Sequence, residues 1–146
     1  MSGTFVEVTG IDQIKQILRD VTPRHANNLM RNTIRGVAAE IRKDIRSTAP
    51  KGDQGRLAAA RNIKVKMRRA KQGAQVAEVV FNNKTFFWRF VEHGTGGDNP
   101  QPARPFVIPA RNRAASRLDR MIAQSFSRTL EKTIKRQLKK QAKVRK

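Results

Sequence analysis

The sequence predicts an α+β fold: short and long N-terminal helices, a small antiparallel β-sheet and a long basic C-terminal helix. Apolar residues recur at helical spacing before residue 48 and after residue 109, and they alternate with charged residues at strand spacing between 63 and 81. The length of 146 residues suits one domain with one core. We therefore predict a single domain over residues 1–131, followed by a basic extension over 132–146 that holds eight basic residues and no acid. We expect this extension to be mobile in the isolated chain.

Two helices are predicted in the N-terminal third. Apolar positions between 11 and 21 recur at helical spacing and predict a short amphipathic helix over 10–20. Thr22 and Pro23 have the form of an N-cap followed by a first-position proline, so a second helix begins there. Its periodicity continues to about Thr48, and Ala49-Pro50 closes it because a residue before proline avoids the α region. The predicted core stripe of this helix consists of Ala26, Met30, Thr33, Ile34, Val37, Ile41 and Ile45.

An arginine ladder follows another face of the long helix, roughly opposite the apolar stripe. At 100° per residue its members fall within about 60° of one another and span roughly 33 Å, comparable to one turn of duplex DNA. This regularity predicts a surface that faces a polyanion, and the alternative is the ordinary solvated face of a basic protein. The ladder consists of Arg24, Arg31, Arg35, Arg42 and Arg46.

Three strands are predicted after a turn-rich loop at 50–58. Ile63 to Met67 and Ala77 to Phe81 alternate apolar and charged or smaller residues, which predicts a hairpin. The run 85–91 predicts a third strand on which Phe86, Trp88 and Phe90 lie on one face and form core, although stacking on nucleic-acid bases is an alternative. Beyond a mobile Gly/Pro loop, Pro105 and Pro109 are expected to hold the chain extended at Arg104 and Ile108.

The last predicted helix starts near Pro109 and carries an apolar row with a spacing of four residues. Such a row drifts around the helix, so it suits wrapping or contact between subunits better than one flat core face. The row consists of Leu118, Ile122, Phe126, Leu130, Ile134 and Leu138.

Charge dominates the composition. There are 32 Lys and Arg residues against 11 Asp and Glu residues, a net charge of +21, which predicts nucleic acid or acidic protein surfaces as partners. The absence of cysteine excludes thiolate zinc sites and cysteine catalysis. We expect no membrane span, no signal peptide, no cofactor, no small-molecule substrate and no enzymatic activity.

Two acidic clusters have the residue types of a metal site. Glu92 and His93 beside Asp98, or Glu40 with Asp44 on the long helix, could each contribute ligands. We expect no metal at either: a metal site needs convergent ligands with a second shell, which the first cluster does not indicate, and the basic residues around Glu40 and Asp44 favour local charge pairing.

Residues 90–110 resemble a known family. The segment FVEHGT, a variable loop and then ARPFVIPA are similar to the signature of tail-completion proteins from lambda-like and related tailed bacteriophages, which join the head to the tail. The long helix that ends in Ala-Pro, the Gly55-x-Leu57 step and the hairpin follow the same order, although the spacing to Ile63 is longer and the basic C-terminus heavier than usual in that family.

The resemblance implies a structural virion protein. It would complete the tail end, dock to the head connector and form a ring, with sixfold symmetry implied by the tail, around a channel for double-stranded DNA. Its partners would be copies of itself and phage tail and connector proteins, and it would be found in the host cytoplasm during assembly and in the virion neck afterwards. The rival is a sequence-independent nucleic-acid-binding protein, architectural or ribosome-associated.

The signature also suggests an assembly contact. We expect Glu92 to pair with Arg104, Gly94 to permit a backbone shape closed to other residues, and the prolines to stiffen the arm. Phe106 and Ile108 either contact a neighbour or fill their own core. The predicted contact consists of Glu92, Gly94, Arg104, Pro105, Phe106 and Ile108.

Overall fold

The computed structural model describes residues 23–51, 55–59, 61–69 and 74–144, and it confirms the α+β class. The predicted N-terminal helix over 10–20 lies outside these residues. The elements are α1 (Pro23–Thr48), β1 (Ile63–Arg69), β2 (Gln75–Phe81), a 3₁₀ turn (Asn83–Thr85), α2 (Trp88–His93), α3 (Val107–Ser116) and α4 (Leu118–Val144).

Helix α1 is the central element and packs against both the hairpin and the C-terminal helices. Both of its predicted ends are confirmed. Its buried positions are Leu29, Thr33, Val37, Ala38 and Ile45, so two sides of the helix are covered rather than a single stripe. Met30, which was predicted for the core, is 51% exposed.

The predicted hairpin is confirmed. Strands β1 and β2 are antiparallel, with a register that runs from Ile63 opposite Phe81 to Arg69 opposite Gln75. Ile63 is fully buried, whereas Lys64 and Lys66 are exposed, as the alternating pattern requires. The hairpin thus places one apolar face on α1 and a basic face outward.

The predicted third strand over 85–91 is wrong. The chain forms the 3₁₀ turn, which the Asn82 side chain caps by accepting a hydrogen bond from the Lys84 N–H at 3.1 Å, and then continues into α2. The Trp88 ring stacks on Phe81 at 4.8 Å between centroids. Phe86 and Phe90, which were predicted to be core, are 68% and 54% exposed. The two outer rings are four residues apart and Trp88, between them, turns inward, so the three do not share one face as they would in a strand.

The main core lies where α1, the hairpin, α2 and α3 meet. Its buried members include Ile45, Leu57, Ile63, Phe106 and Ala110. Phe106 is 1% exposed and meets the Phe81 ring edge-on at 6.1 Å. Residues far apart in the sequence therefore share one apolar cluster, which fixes the position of the 90–110 signature on the rest of the fold.

The predicted last helix is two helices. Helix α3 begins at Val107 and ends at Ser116, and α4 begins after Arg117, whose φ of −120° and ψ of 9° interrupt the helical path. The prediction that Pro109 holds Ile108 in an extended arm is wrong, because both lie in the first turn of α3, where a missing proline N–H costs nothing. Helix α4 continues past residue 132 to Val144, and the predicted mobility of 132–146 before assembly stays a prediction.

Candidate functional site

The buried carboxylate of Glu92 connects α2 to the start of α3. Its Oε2 accepts hydrogen bonds from the N–H groups of Phe106 at 2.8 Å and Val107 at 2.9 Å, and its Oε1 accepts one from the Ile108 N–H at 2.8 Å. Glu92 is only 2% exposed. Three backbone donors that the first turn of a helix leaves without partners are thereby satisfied by one negative side chain, which the helix dipole also favours.

The ionisation of Glu92 follows from this geometry. Burial by itself raises the pKa of a carboxyl group, but the three backbone hydrogen bonds, with a smaller contribution from His93, outweigh it and hold the pKa of Glu92 below its ordinary value. The side chain therefore stays charged at neutral pH inside the protein, as an anionic cap for α3.

The predicted Glu92–Arg104 ion pair is wrong. Both carboxylate oxygens are used by backbone N–H groups, and the Arg104 side chain is exposed. The two ends of the loop are joined by main chain instead, because the Arg104 N–H donates to the Val91 carbonyl at 2.8 Å. A charge pair suggested by the sequence is thus replaced by a helix cap and a backbone bridge.

The special role expected for Gly94 has a direct basis. Its φ of +76° is in a region that side chains disfavour, and a Cβ there would lie 2.7 Å from the Gln101 carbonyl oxygen. The Thr95 N–H then donates to the same carbonyl at 3.1 Å. Gly94 therefore allows the chain to leave α2 and pack closely against residues 101–103, where the loop returns.

The six predicted assembly residues divide into two groups. Glu92 and Phe106 are buried within the subunit, which for Phe106 is the core alternative, and Gly94 shapes the loop between them. Arg104, Pro105 and Ile108 are exposed, with Ile108 at 39%. Only this second group is accessible to another protein.

An exposed aromatic pair was missed by the sequence reasoning. Phe86 and Phe90 project from the α2 region, and Phe90 lines an open groove of about 520 Å³ together with Leu57 and Val91. Arg56 and Arg104 lie on the same groove. The spacing of four residues between Phe86 and Phe90 is the signal in the sequence that indicates an exposed pair on one helical face.

The arginine ladder is only partly on the surface. Arg24, Arg31 and Arg35 are exposed, and we call these three the exposed half of the ladder. Arg42 and Arg46 are half-buried: Arg46 Nε donates to the Ala58 carbonyl at 2.9 Å, and Arg42 Nε is buried with no partner among the described residues. Arg46 thus holds α1 to the loop at 55–59, so the two C-terminal members of the ladder belong to the packing of the subunit.

The acidic residues of α1 pair with the C-terminal helices. Asp44 bonds Arg113 at 3.0 Å, and Glu40 bonds Arg128 at 3.2 Å. The partners lie 69 and 88 residues away, not in the surrounding basic residues of α1. In the part of the chain that the structure describes, no three His, Asp or Glu side chains form a group able to hold a metal ion.

Comparison with known proteins gave one family. Residues 12–94, more than half of the chain, match the model of the HK97-gp10-like family, described as "Bacteriophage HK97-gp10, putative tail-component". No curated protein and no solved structure matches the chain. Within the described ranges, no helix is both long and apolar enough to cross a membrane.

Proposed function

Because this chain belongs to the HK97-gp10-like family of bacteriophage tail components, we propose that it completes the tail end and joins it to the head connector as a ring around the DNA channel. The observation that carries this proposal is the apolar surface around Phe86 and Phe90 on a chain of net charge +21. Large exposed aromatics in a strongly charged protein mark protein–protein contacts.

The surface around Phe86 and Phe90 suits a subunit or tail-protein interface. Both rings are more than half exposed, and the adjoining groove is apolar at its centre with Arg56 and Arg104 at the rim. An apolar centre with a charged rim is the usual anatomy of an interface. Ile108 and the exposed Leu118 and Ile122 supply a second set of apolar positions at the C-terminal helices, as contacts on two sides of each subunit in a ring would require.

The basic charge suits the DNA that such a ring would surround. A net charge of +21 would repel other copies unless a polyanion or acidic partner neutralised it. The exposed half of the ladder offers three guanidinium groups along α1, and arginine contacts to phosphate carry no sequence information. The channel would therefore hold DNA without selecting a sequence.

The test is incorporation of the protein into particles. A phage that lacks the protein should accumulate filled heads and separate tails, and the wild-type chain should restore joined particles. The F86S/F90S variant should fold, because both rings are exposed, yet fail to restore joining. The control is M30S, which removes another exposed apolar side chain, on α1 and outside both proposed contact surfaces.

Negative-stain microscopy separates the proposal from its rival. Rings of the protein at the tail end support a joining role. Uniform monomers that coat DNA, together with normal joining by F86S/F90S, would favour a sequence-independent nucleic-acid-binding protein instead.

A further inference from the structure

The contact between α1 and α4 changes character along its length. Val37 packs with Ala114 and Met121 in a small apolar cluster. Toward the N-terminus of α1 the contact becomes polar: Ser125 Oγ donates to the Thr33 carbonyl at 2.7 Å, and a Cβ on Gly36 would lie 2.3 Å from the same Oγ. Stability alone does not account for this change, because apolar burial stabilises the packing of two helices more.

A row of hydroxyl side chains continues from Ser125 along α4. Thr129 and Thr133 follow at intervals of four residues, and each hydroxyl donates to the carbonyl four residues before it, at 2.7 and 2.9 Å. These side chains are small and each hydroxyl donates to a backbone carbonyl of the subunit, so the row forms a polar floor between the two helices. Above it runs an open groove in two adjoining sections of about 490 and 360 Å³, which share Asn32, Thr133 and Arg136.

The rim of this groove is basic. Lys132, Arg136 and Lys140 recur every four residues along α4, and all three are exposed. Among the described residues that line the groove, Glu40 is the one acid; it lies at the end nearer the apolar cluster, where it is bonded to Arg128. Beyond this pair, the charged side chains in the described lining of the groove are all basic, which favours an anion there.

We propose that the groove between α1 and α4 binds the phosphate backbone of a nucleic acid. Asn28 and Asn32 on one side and Gln137 on the other add amide donors to the cations of the rim. Amides, lysine and arginine are the groups that contact phosphate and sugar in protein–nucleic acid complexes. No Phe, Tyr or Trp is among the described residues that line the groove, so phosphate contacts rather than base stacking dominate, and the binding is independent of sequence.

The groove extends the basic surface of α1. At 100° per residue, Asn28 and Asn32 lie between the exposed half of the ladder and the helix face toward α4. The exposed half of the ladder and the basic rim on α4 therefore lie on either side of the polar face of α1 that carries Asn28 and Asn32. This inference deepens the proposed function by locating the contact with DNA, and it rests on that function only for the source of the nucleic acid.

The test compares two variants of equal charge on the purified full-length protein. The groove variant is K132Q/R136Q/K140Q, and the control is K64Q/K66Q/K84Q, which removes three exposed charges from the hairpin region. Affinity for a duplex oligonucleotide of mixed sequence is measured across salt concentrations. Neutralising three phosphate contacts flattens the slope of log affinity against log salt by about 2.7, from 0.9 per phosphate. The control should flatten it by less than about one.

Each outcome decides the matter. A clear excess loss of slope in the groove variant supports the proposal whether or not the protein joins heads to tails, because the assay needs no particle. Equal losses in both variants would show that net charge alone governs binding and would overturn it. A groove variant that binds DNA normally but is not incorporated into tails would also overturn it, in favour of an acidic protein partner.

Discussion

The anionic cap of α3 leads to a quantitative prediction for Glu92. Replacing Glu92 by Gln keeps the size of the side chain but turns one carboxylate oxygen into an NH₂ group that faces backbone donors. The wild-type carboxylate accepts three hydrogen bonds of 2.8 to 2.9 Å at a site that is 2% exposed. A buried donor that loses its partner costs about 1–3 kcal/mol, and the lost charge at the helix start adds to this. We expect Glu92→Gln to lower the free energy of unfolding by about 2 kcal/mol, and Glu92→Ala by about 3 kcal/mol or more.

The assay uses the single tryptophan of the chain. Trp88 lies in α2 and stacks on Phe81, so its fluorescence reports the unfolding of the region that Glu92 caps. Urea titrations at pH 7 give the free energy of unfolding for each variant. Glu78→Gln is the matched control, since it removes a carboxylate from an exposed ion pair with Arg68 and should cost less than about 1 kcal/mol.

Acid should remove the advantage of the wild-type protein. The pKa of Glu92 is lower in the folded protein than its reference value of 4.5, so the folded state holds fewer protons there than the unfolded chain. The stabilisation by the charged cap is therefore complete above about pH 5 and is lost as pH falls from 4.5 through the folded pKa. A Glu92→Gln variant as stable as wild type at pH 7, or a difference that grows in acid, would refute this reasoning.

Four further outcomes are expected. Gly94→Ala should destabilise the fold by about 1–3 kcal/mol, because φ is positive and the added Cβ would approach the Gln101 carbonyl; thermal unfolding measures this, and an unchanged midpoint would contradict it. Phe106→Ala should cost about 3–5 kcal/mol in urea titrations, and a fully stable variant would show that the ring is not core. Hydrogen exchange should show weak protection over 132–146 in the free protein and stronger protection with DNA, whereas strong protection in the free chain would count against this. Replacing the exposed half of the ladder by Gln should flatten the salt slope of DNA binding by about two to three units, and an unchanged slope would leave these arginines as ordinary solvated surface.

Local chemistry in the sequence predicted several elements correctly. The start of α1 at Pro23 and its end before Pro50 follow from the restricted backbone of proline and its preceding residue, which tertiary packing did not override. The hairpin follows from alternation, which only one register can satisfy with Ile63 buried and Lys64 exposed. These elements are encoded within a few residues of where they form.

The predictions that were wrong concern residues whose contacts are made with residues distant in the sequence. The run 85–91 is rich in aromatics that suit a strand, but Phe81 and the core offered Trp88 a stacking site that a short helix reaches better. No proline or glycine marks the break at Arg117, so a single C-terminal helix was the natural prediction. The partners of Glu92 are backbone N–H groups 14 to 16 residues away, and backbone donors leave no trace in side-chain patterns.

The candidate site was predicted in part for the same reason. The sequence directed attention to 90–110, but it could not distinguish residues that build the loop from residues that the loop exposes. Phe106 and Ile108 are two positions apart, and only the helical turn of α3 sends one inward and the other outward. The aromatic pair Phe86 and Phe90 was hidden by the same ambiguity between a strand and a helix.

The length of the 95–103 loop can change without disturbing the contacts that hold its two ends. Its ends are held by the Glu92 cap and by the bond from the Arg104 N–H to the Val91 carbonyl, while a Cβ at Gly96 or Gly97 would meet nothing within 4 Å. Doubling the length of a flexible loop costs only about 0.6 kcal/mol in closure entropy. Natural variants can therefore lengthen this segment to suit a different neighbour, and an epitope tag inserted near Asp98 would label the particle without loosening the subunit.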